Sequence, residues 1–362
     1  MRTDPSTLPQ RVLVVCTRRI GDVLLATPLI RSIHRAWPQA DIDALVFSGT
    51  ADILSGNPDL ARVIAVPERS SWQGRLCELH RLWNTYDLAF SCIPSDRARI
   101  YGWAGGRRHF GMLAAGESAS KRWLLSAATP FDNLDIHTVS MNLKLADLAG
   151  IARRSEVVPP AAGGGLPTAI YPPFAVLHPY PKFAYKMWTE EGWSALARAL
   201  QERGLQVVLT ASNQSNEVAC CERIAMNSGA LSQAGRLSLP QTADLLQRAA
   251  LFIGTDTAVT HLAAASGTPT VALFGPSNPV KWGPWPQGWG GEQSPWARVG
   301  SGRQGNVYLL QGLGDCVPCR LEGCDRHVGS LSRCLQEVPA RRVIDASLSM
   351  LTTHVAPNGS AS

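Results

Sequence analysis

The sequence predicts an α/β protein made of two Rossmann-like domains facing a central cleft, and three observations predict it. Short β-branched apolar runs alternate with longer segments of helical spacing. The alternation is broken between Val157 and Pro173, where Pro159-Pro-Ala-Ala-Gly-Gly-Gly-Leu-Pro167 and Tyr171-Pro-Pro173 can continue neither a helix nor a central strand. It then restarts at a similar size. A chain of 362 residues, 45% hydrophobic and 17% charged, buries enough core for two domains. The expected boundaries are 1–158 for the first domain, 159–173 for a linker, 174–345 for the second domain and 346–362 for a tail.

The first domain opens with a strand, Arg11-Val-Leu-Val-Val-Cys16. A turn, Thr17-Arg-Arg-Ile-Gly-Asp22, leads into a helix with Leu24, Leu25, Leu29, Ile30, Ile33 and Trp37 at helical spacing. Further strands are expected at Ile42 to Phe47, Val63 to Val66 and Tyr86 to Cys92. In the second domain the expected order is a strand at Phe174 to His178, a helix at Thr189 to Glu202, a strand at Gln206 to Ala211 and a helix near Asn216 to Asn227. A helix near Gln241 to Arg248, a strand at Leu251 to Gly254, a helix at Asp256 to Ser266 and a strand at Thr270 to Phe274 complete it. Ligands of open α/β sheets sit beyond the carboxyl ends of the strands, so the loops there are where chemistry is sought.

A formal charge of +6 points to small acidic ligands or an anionic surface. No basic run of the nucleic-acid-binding kind is present, so no nucleic-acid partner is expected. The polar start, Met1 to Gln10, has no secretory-signal pattern, and no apolar stretch reaches the roughly 18 to 20 residues that span a bilayer. A cytoplasmic protein with, at most, peripheral contact with a membrane is therefore expected.

Three stretches carry candidate chemistry. In Phe252-Ile-Gly-Thr-Asp-Thr-Ala-Val-Thr-His261 a buried strand runs into Thr255-Asp256-Thr257, which suits a helix cap, and the unpaired amides of that helix start fit a diphosphate. His261, one turn on, could add a hydrogen bond. The same residues also suit a plain cap with a histidine packed on the sheet. In His178-Pro-Tyr-Pro-Lys-Phe-Ala-Tyr-Lys-Met-Trp188, Lys186 lies in a loop ahead of a helix, where it could meet the diphosphate or stand in solvent; Trp188 beside it suggests a packed loop. In Arg18-Arg-Ile-Gly-Asp22, the Asp22 carboxylate at a helix start could take a proton from an acceptor hydroxyl, or serve only as an N-terminal helix charge.

Together these stretches resemble the ADP-heptose:lipopolysaccharide heptosyltransferase family. The resemblance rests on Gly21-Asp-Val-Leu24, His178-Pro179 with Lys186-Met-Trp188, Asp256-Thr-Ala-Val-Thr-His261 and Phe274-Gly-Pro276, and runs from about Arg11 to Val343. It implies a GT-B fold, inversion at the anomeric carbon and no cofactor for catalysis. It further implies that Asp22 is the general base and that Lys186, Asp256, Thr257, Ala258, Val259, His261 and Ser212 bind the ADP-heptose donor in the second domain. The sequence departs from the family's pattern at Ala258, where the motif has glycine, and at Tyr180, where a small residue commonly follows His-Pro.

The implied acceptor is an anionic glycolipid, a lipopolysaccharide core. The residues expected to meet it are Arg18, Arg19, Arg107, Arg108, Lys121 and Arg122, with Arg97 and Arg99 nearby and Trp103 and Trp123 for sugar stacking. A protein hydroxyl is the alternative acceptor, and a silent nucleotide-sugar-binding protein the alternative class. Of nine cysteines, Cys316, Cys319, Cys324 and Cys334 fall within 19 residues, a spacing that suits structural iron or zinc as well as buried thiols. An oligomer is compatible with this element.

Overall fold

The computed structural model describes residues 8–352 and divides into two compact units. One runs up to Pro160 and includes Gly290–Ser294; the other runs from Ala161 to Trp289 and from Pro295 onward.

The first unit contains β1 (Arg11–Cys16), α1 (Ile20–Leu24), α2 (Thr27–Ala36), β2 (Asp41–Phe47), β3 (Arg62–Val66), α3 (Trp72–Leu82) and β4 (Tyr86–Ser91). It continues with α4 (Asp96–Gly105), β5 (Gly106–Leu113), α5 (Ala119–Arg122), β6 (Ala127–Pro130) and α6 (Thr138–Leu148). Its six strands are all parallel, in the order β3-β2-β1-β4-β5-β6. In β1, Val12 to Cys16 are buried on both faces, as a central parallel strand requires. Helix α2 has Pro28 in its first turn, buries Leu29, Ile30 and Ile33, and ends with His34 and Arg35 beside its carbonyl end.

The second unit contains β7 (Phe174–His178), α7 (Glu190–Gln201), β8 (Gln206–Leu209), α8 (Ser215–Ser228), β9 (Leu231–Ser232), α9 (Leu239–Arg248), β10 (Leu251–Thr255) and α10 (Ala258–Ala265). After them come β11 (Thr270–Phe274), α11 (Pro279–Trp282), β12 (Gly302–Gln304), β13 (Val307–Gln311), α12 (Arg333–Gln336) and α13 (Ala340–Thr352). The strand order is β12-β13-β11-β10-β7-β8-β9, with only the short β12 antiparallel among the described pairs. Leaving β12 aside, this repeats the winding of the first unit. The three central strands β7, β10 and β11 are wholly buried. Thr189 caps α7 ahead of Glu190 and Glu191, and Ser238 closes α9 with a reciprocal capping box to Gln241.

Two departures concern the ends of elements. Irregular chain begins at Ile151 and so precedes the expected linker start; it is tied down by Val158 N–H to Thr27 Oγ1 (2.9 Å) and, past Ala161, by Gly164 N–H to Asp244 (3.0 Å). Helix α13 continues to Thr352 with Ala346, Ser347 and Met350 buried, so the chain does not turn into a tail at 346; residues 353–362 of that expected tail lie outside the described residues. Met350 and Val343 complete the apolar core between α7 and the sheet.

Candidate active site

The sheet of the second unit reverses its winding between β7 and β10: the chain leaves β7 toward β8 on one side and returns to β10 on the other. The loops after these two strands therefore diverge around a crevice at the carboxyl edge. They carry Lys186 and Asp256, and the structure brings the two together: Lys186 Nζ lies 2.5 Å from Asp256 Oδ2. Both side chains are largely withdrawn from solvent. Burial works against the Asp256 carboxylate, but the Lys186 ammonium, a hydrogen bond from Ser277 and the neighbouring His261 outweigh it and hold the carboxyl below the usual carboxylate range.

The lysine loop is rigid by construction. Trp188, which is buried, donates from Nε1 to the Val338 carbonyl (2.9 Å), and Gln336 Nε2 donates to the Met187 carbonyl (2.8 Å). Trp188 also meets Trp193 edge-on at 5.1 Å between centroids. Gly192 must be glycine here, because a Cβ would lie 2.4 Å from the Trp188 ring. A short 3₁₀ turn, Ala184–Lys186, then presents the lysine.

The start of α10 separates the two readings of Asp256. Thr257, in extended backbone, is the cap, and its side chain accepts from Thr260 N–H (3.4 Å). Thr260 in turn donates its hydroxyl to the Thr255 carbonyl. Asp256 stands before the cap, outside the helix that was expected to begin with it, and its carboxylate goes to Lys186 and Ser277 instead. The amides of Ala258 and Val259 find no partner among the described residues. His261, one turn in, is buried, and its Nδ1 has no hydrogen-bond partner there either. Burial, with Lys186 nearby, brings its pKa down to about 4 despite Asp256, so the ring is neutral at pH 7. Two free amides, a helix dipole, a lysine and an orphan buried ring nitrogen converge where an anion is expected.

Several expected site residues need revision. Ser212 sits at the same edge, after β8, but is exposed, and its amide and hydroxyl are engaged by Glu217 (2.9 Å) and Gln214 N–H (3.3 Å). Ser277 was not anticipated; it follows the Phe274-Gly-Pro276 turn after β11 and reaches Asp256, and the Gly-Pro-Ser run at a strand end was the available signal.

In the first unit the corresponding edge, between β1 and β4, carries Asp22. It lies in the first turn of the short α1, mostly buried, with Arg18 Nε 3.6 Å from its Oδ2. Thr17, the residue that follows β1, keeps a buried hydroxyl with no hydrogen-bond partner among the described residues. Arg19 is the residue capping α1 and is also on this edge.

Arg107 and Arg108 are not. They begin β5, whose Arg108 is in register with Leu88 of β4, itself opposite Val12 at the start of β1. That is four residues, or about 13 Å, from the Cys16 end of the sheet. Arg107 pairs with Asp87 (3.4 Å). Trp103, at the end of α4, lies at this same opposite end, so neither it nor these arginines sits beside Asp22. Lys121 is held by Asp96 (2.8 Å) and Glu117 (3.1 Å), and the buried Arg99 by the same two carboxylates, which makes this cluster a clasp on the loop after β5. Arg122 is exposed on α5.

The four clustered cysteines do not form a ligand set. Cys334 is buried against Gly275, Cys319 is half-buried, and Cys316 and Cys324 are exposed. Cys324 Sγ accepts from Arg333 N–H (3.4 Å), and burial pushes the Cys334 thiol up to about 12. Among the described residues no three such ligands come close enough to hold a metal ion, so the expected iron or zinc is not supported. What the segment does is pack: Arg320 N–H bonds the Pro276 carbonyl (2.8 Å), and Leu335 and Cys334 close over Gly275, bracing the turn that carries Ser277.

Two parallel sheets of the same winding are the architecture of the GT-B glycosyltransferases. The family model for glycosyltransferase family 9 (heptosyltransferase) matches residues 103–289, and the chain belongs to that family. It is 28% identical over 296 residues to lipopolysaccharide heptosyltransferase 3 of Escherichia coli K12, covering 73% of this chain and 82% of that one. By fold it is similar to a family 9 glycosyltransferase of Veillonella parvula (TM-score 0.74, 18% identity, 95% and 97% of the two chains). It is also similar to the E. coli heptosyltransferase WaaC solved with ADP (TM-score 0.70, 20% identity, 94% and 99%). The protein is a glycosyltransferase, and no helix of its described residues is long and apolar enough to cross a membrane.

Proposed function

We propose that the protein transfers heptose from ADP-L-glycero-β-D-manno-heptose to an inner-core sugar of lipopolysaccharide, with inversion, as a peripheral protein at the cytoplasmic face of the inner membrane. The observation that carries the donor half is the Lys186–Asp256 pair beside the free Ala258 and Val259 amides. Charge grows on the diphosphate as the glycosidic bond breaks, and a fixed dipole and ammonium stabilise it most at that moment. ADP bound to WaaC, and the lipopolysaccharide named for the E. coli relative, support the choice of donor and acceptor.

In this reading the acceptor oxygen bonds the anomeric carbon from the side opposite ADP, Asp22 takes the hydroxyl proton, and ADP leaves with the electrons of the broken C–O bond. Asp256 orients Lys186 and the sugar, and His261 supports the phosphates through the free Nδ1. No step needs a metal or other cofactor.

The test is a transfer assay with purified protein, ADP-heptose and heptose-terminated core glycolipid, alongside melting curves with ADP, GDP and UDP. ADP is expected to raise the melting temperature most. Asp22→Asn is expected to lower turnover by about 10²- to 10⁴-fold while keeping the ADP-induced shift. Undiminished transfer by Asp22→Asn removes the base assignment, transfer only to a protein acceptor replaces the glycolipid, and ADP binding without any transfer leaves a silent binder.

A further inference from the structure

On the outer surface of α3 and α4 the first unit shows an unusual set of side chains. Trp72 is 71% exposed, Trp83 59% and Trp103 45%. Large aromatics are seldom left in water by a soluble domain, and a contiguous group of them marks a contact surface. The contiguity follows from geometry. Trp72, Leu76 and Trp83 fall within one stripe of α3 at steps of four and seven residues, and Leu76 is exposed with them. Trp83 and Trp103 pack edge to face, 5.4 Å between centroids. Ile100, exposed one turn before Trp103, extends the patch along α4.

The charge around this patch is mostly positive. Arg69 and Arg75 are exposed on the approach to α3 and beside its stripe, and Arg81 is exposed on the far face of the same helix. Arg107 emerges on the α4 side of the sheet, because it shares a strand face with His109. Of the nearby acids, Glu78 is consumed by Ser70 and Tyr101, and Asp87 accepts from the Gln10 and Arg11 amides and from Arg107; Glu68 alone is left exposed.

We infer that this face docks on a bilayer containing anionic phospholipids, with Trp72, Leu76, Trp83 and Trp103 at the headgroup–acyl boundary and the arginines on the phosphates. Tryptophan is the residue of that boundary, and a patch of tryptophan flanked by arginine matches its two layers of chemistry. A second copy of the chain does not, since a self-complementary contact on the same patch would set arginine against arginine. The inference names the surface for the peripheral location proposed above, which runs the length of α3 from Trp72, at the sheet edge that also carries Asp22, to Trp83 and Trp103 at the other edge.

Co-sedimentation of the full chain with vesicles tests it. The wild-type protein is expected to bind phosphatidylcholine–phosphatidylglycerol vesicles and to lose binding in high salt, and phosphatidylcholine alone should bind it weakly. Trp72→Ser/Trp83→Ser/Trp103→Ser, checked for an unchanged melting curve, should weaken binding by about ten-fold or more. Arg69→Glu/Arg75→Glu keeps every tryptophan and should abolish the preference for the anionic vesicles. Equal binding by wild type and the tryptophan variant overturns the inference, as does absence of binding to both vesicles. So does a wild-type dimer that the tryptophan variant dissolves, which would assign the face to a second copy. Transfer to a soluble, delipidated core oligosaccharide should be the same for wild type and the tryptophan variant; failure of transfer in both would count against the proposed reaction, and leaves the vesicle result to stand by itself.

Discussion

The two units share one winding and differ in how completely their switch-point edges are built. Between β7 and β10 the second unit already holds an ion pair, two free amides and a neutral, unpartnered histidine ring. Between β1 and β4 the first unit offers Asp22 beside Arg18 and the lone Thr17 hydroxyl. The same scaffold thus carries a preorganised anion site in one copy and a single carboxylate in the other. A diphosphate has the same shape in every donor, so its site can be fixed in advance by packing such as the Trp188 anchor. In the proposed reaction the acceptor sugar needs only a base at one hydroxyl, with the rest of its recognition left to exposed loops.

The sharpest way to break this contrast is to remove the lysine. Lys186→Ala leaves Asp256 buried without its partner, so burial then raises the carboxyl pKa, and stability should fall by about 3 kcal/mol. Transfer should drop by about 10²- to 10³-fold in kcat/KM, with the ADP-induced melting shift lost as well. Lys186→Met combined with Asp256→Asn should recover most of the stability and none of the transfer. If the single variant still binds ADP as the wild type does, the second unit's edge is no more preorganised than the first.

The next effect is in pH. The folded pKa of His261 is about 4 against an ordinary 6.5, because burial penalises the charged ring. The unfolded chain then binds more protons than the folded one between those values. Stability from this group is fully present above about 6.5 and is lost as pH falls to about 4, by roughly 3 kcal/mol. His178 in the same unit and His109 in the first behave alike. Melting temperature should therefore decline from pH 6.5 to 4, and His261→Asn should flatten that decline by about a third. An unchanged slope would mean that the ring is not held neutral by its site.

How much of this was readable in advance depends on what kind of contact carries it. Strands β1, β7, β10 and β11 announce themselves because both faces are buried and, apart from Arg11 and His178 at their ends, every residue is apolar or small. Strand β5 does not, because it starts Gly-Arg-Arg-His and only its second half is uniformly inside. Missing that strand is what put Arg107 and Arg108 on the wrong edge: their charge is local, whereas the direction of the strand they start is not. The meeting of Lys186 with Asp256, the Thr257 cap and the burial of His261 rest on two short stretches and were legible. Ser277 and the bracing of its turn by Cys334 and Leu335 were not, since they join β11 to a segment some sixty residues on.

That bracing gives a smaller prediction. A Cβ on Gly275 would lie 2.6 Å from Leu335 Cγ and 3.2 Å from Cys334 Sγ. Gly275→Ala should cost about 1–3 kcal/mol by overpacking and should weaken ADP binding through Ser277, whereas Cys334→Ala, which removes a sulfur from the same contact, should restore part of both. Melting curves with and without ADP separate the two effects. Equal losses with and without ADP would show that the cysteine segment supports the fold but not the site.

The smallest effect concerns Ala258, the first residue of α10 and the point where this chain departs from the glycine of the family motif. Its amide is free and lies in the first turn, where the helix dipole is open to an anion. A methyl group there stiffens the turn and favours the helix by up to about 1 kcal/mol over glycine, but it also stands beside the approach to that amide. Ala258→Gly should therefore lower the melting temperature of the free protein slightly and change the ADP affinity by less than about three-fold, because the two effects oppose one another. Ala258→Val, with a second branch at the same place and no gain in helix preference, should weaken ADP binding more than it destabilises the free protein. A calorimetric titration of the three proteins with ADP orders them; if valine binds as tightly as alanine, the diphosphate does not approach the Ala258 amide, and the helix start contributes through Val259 alone.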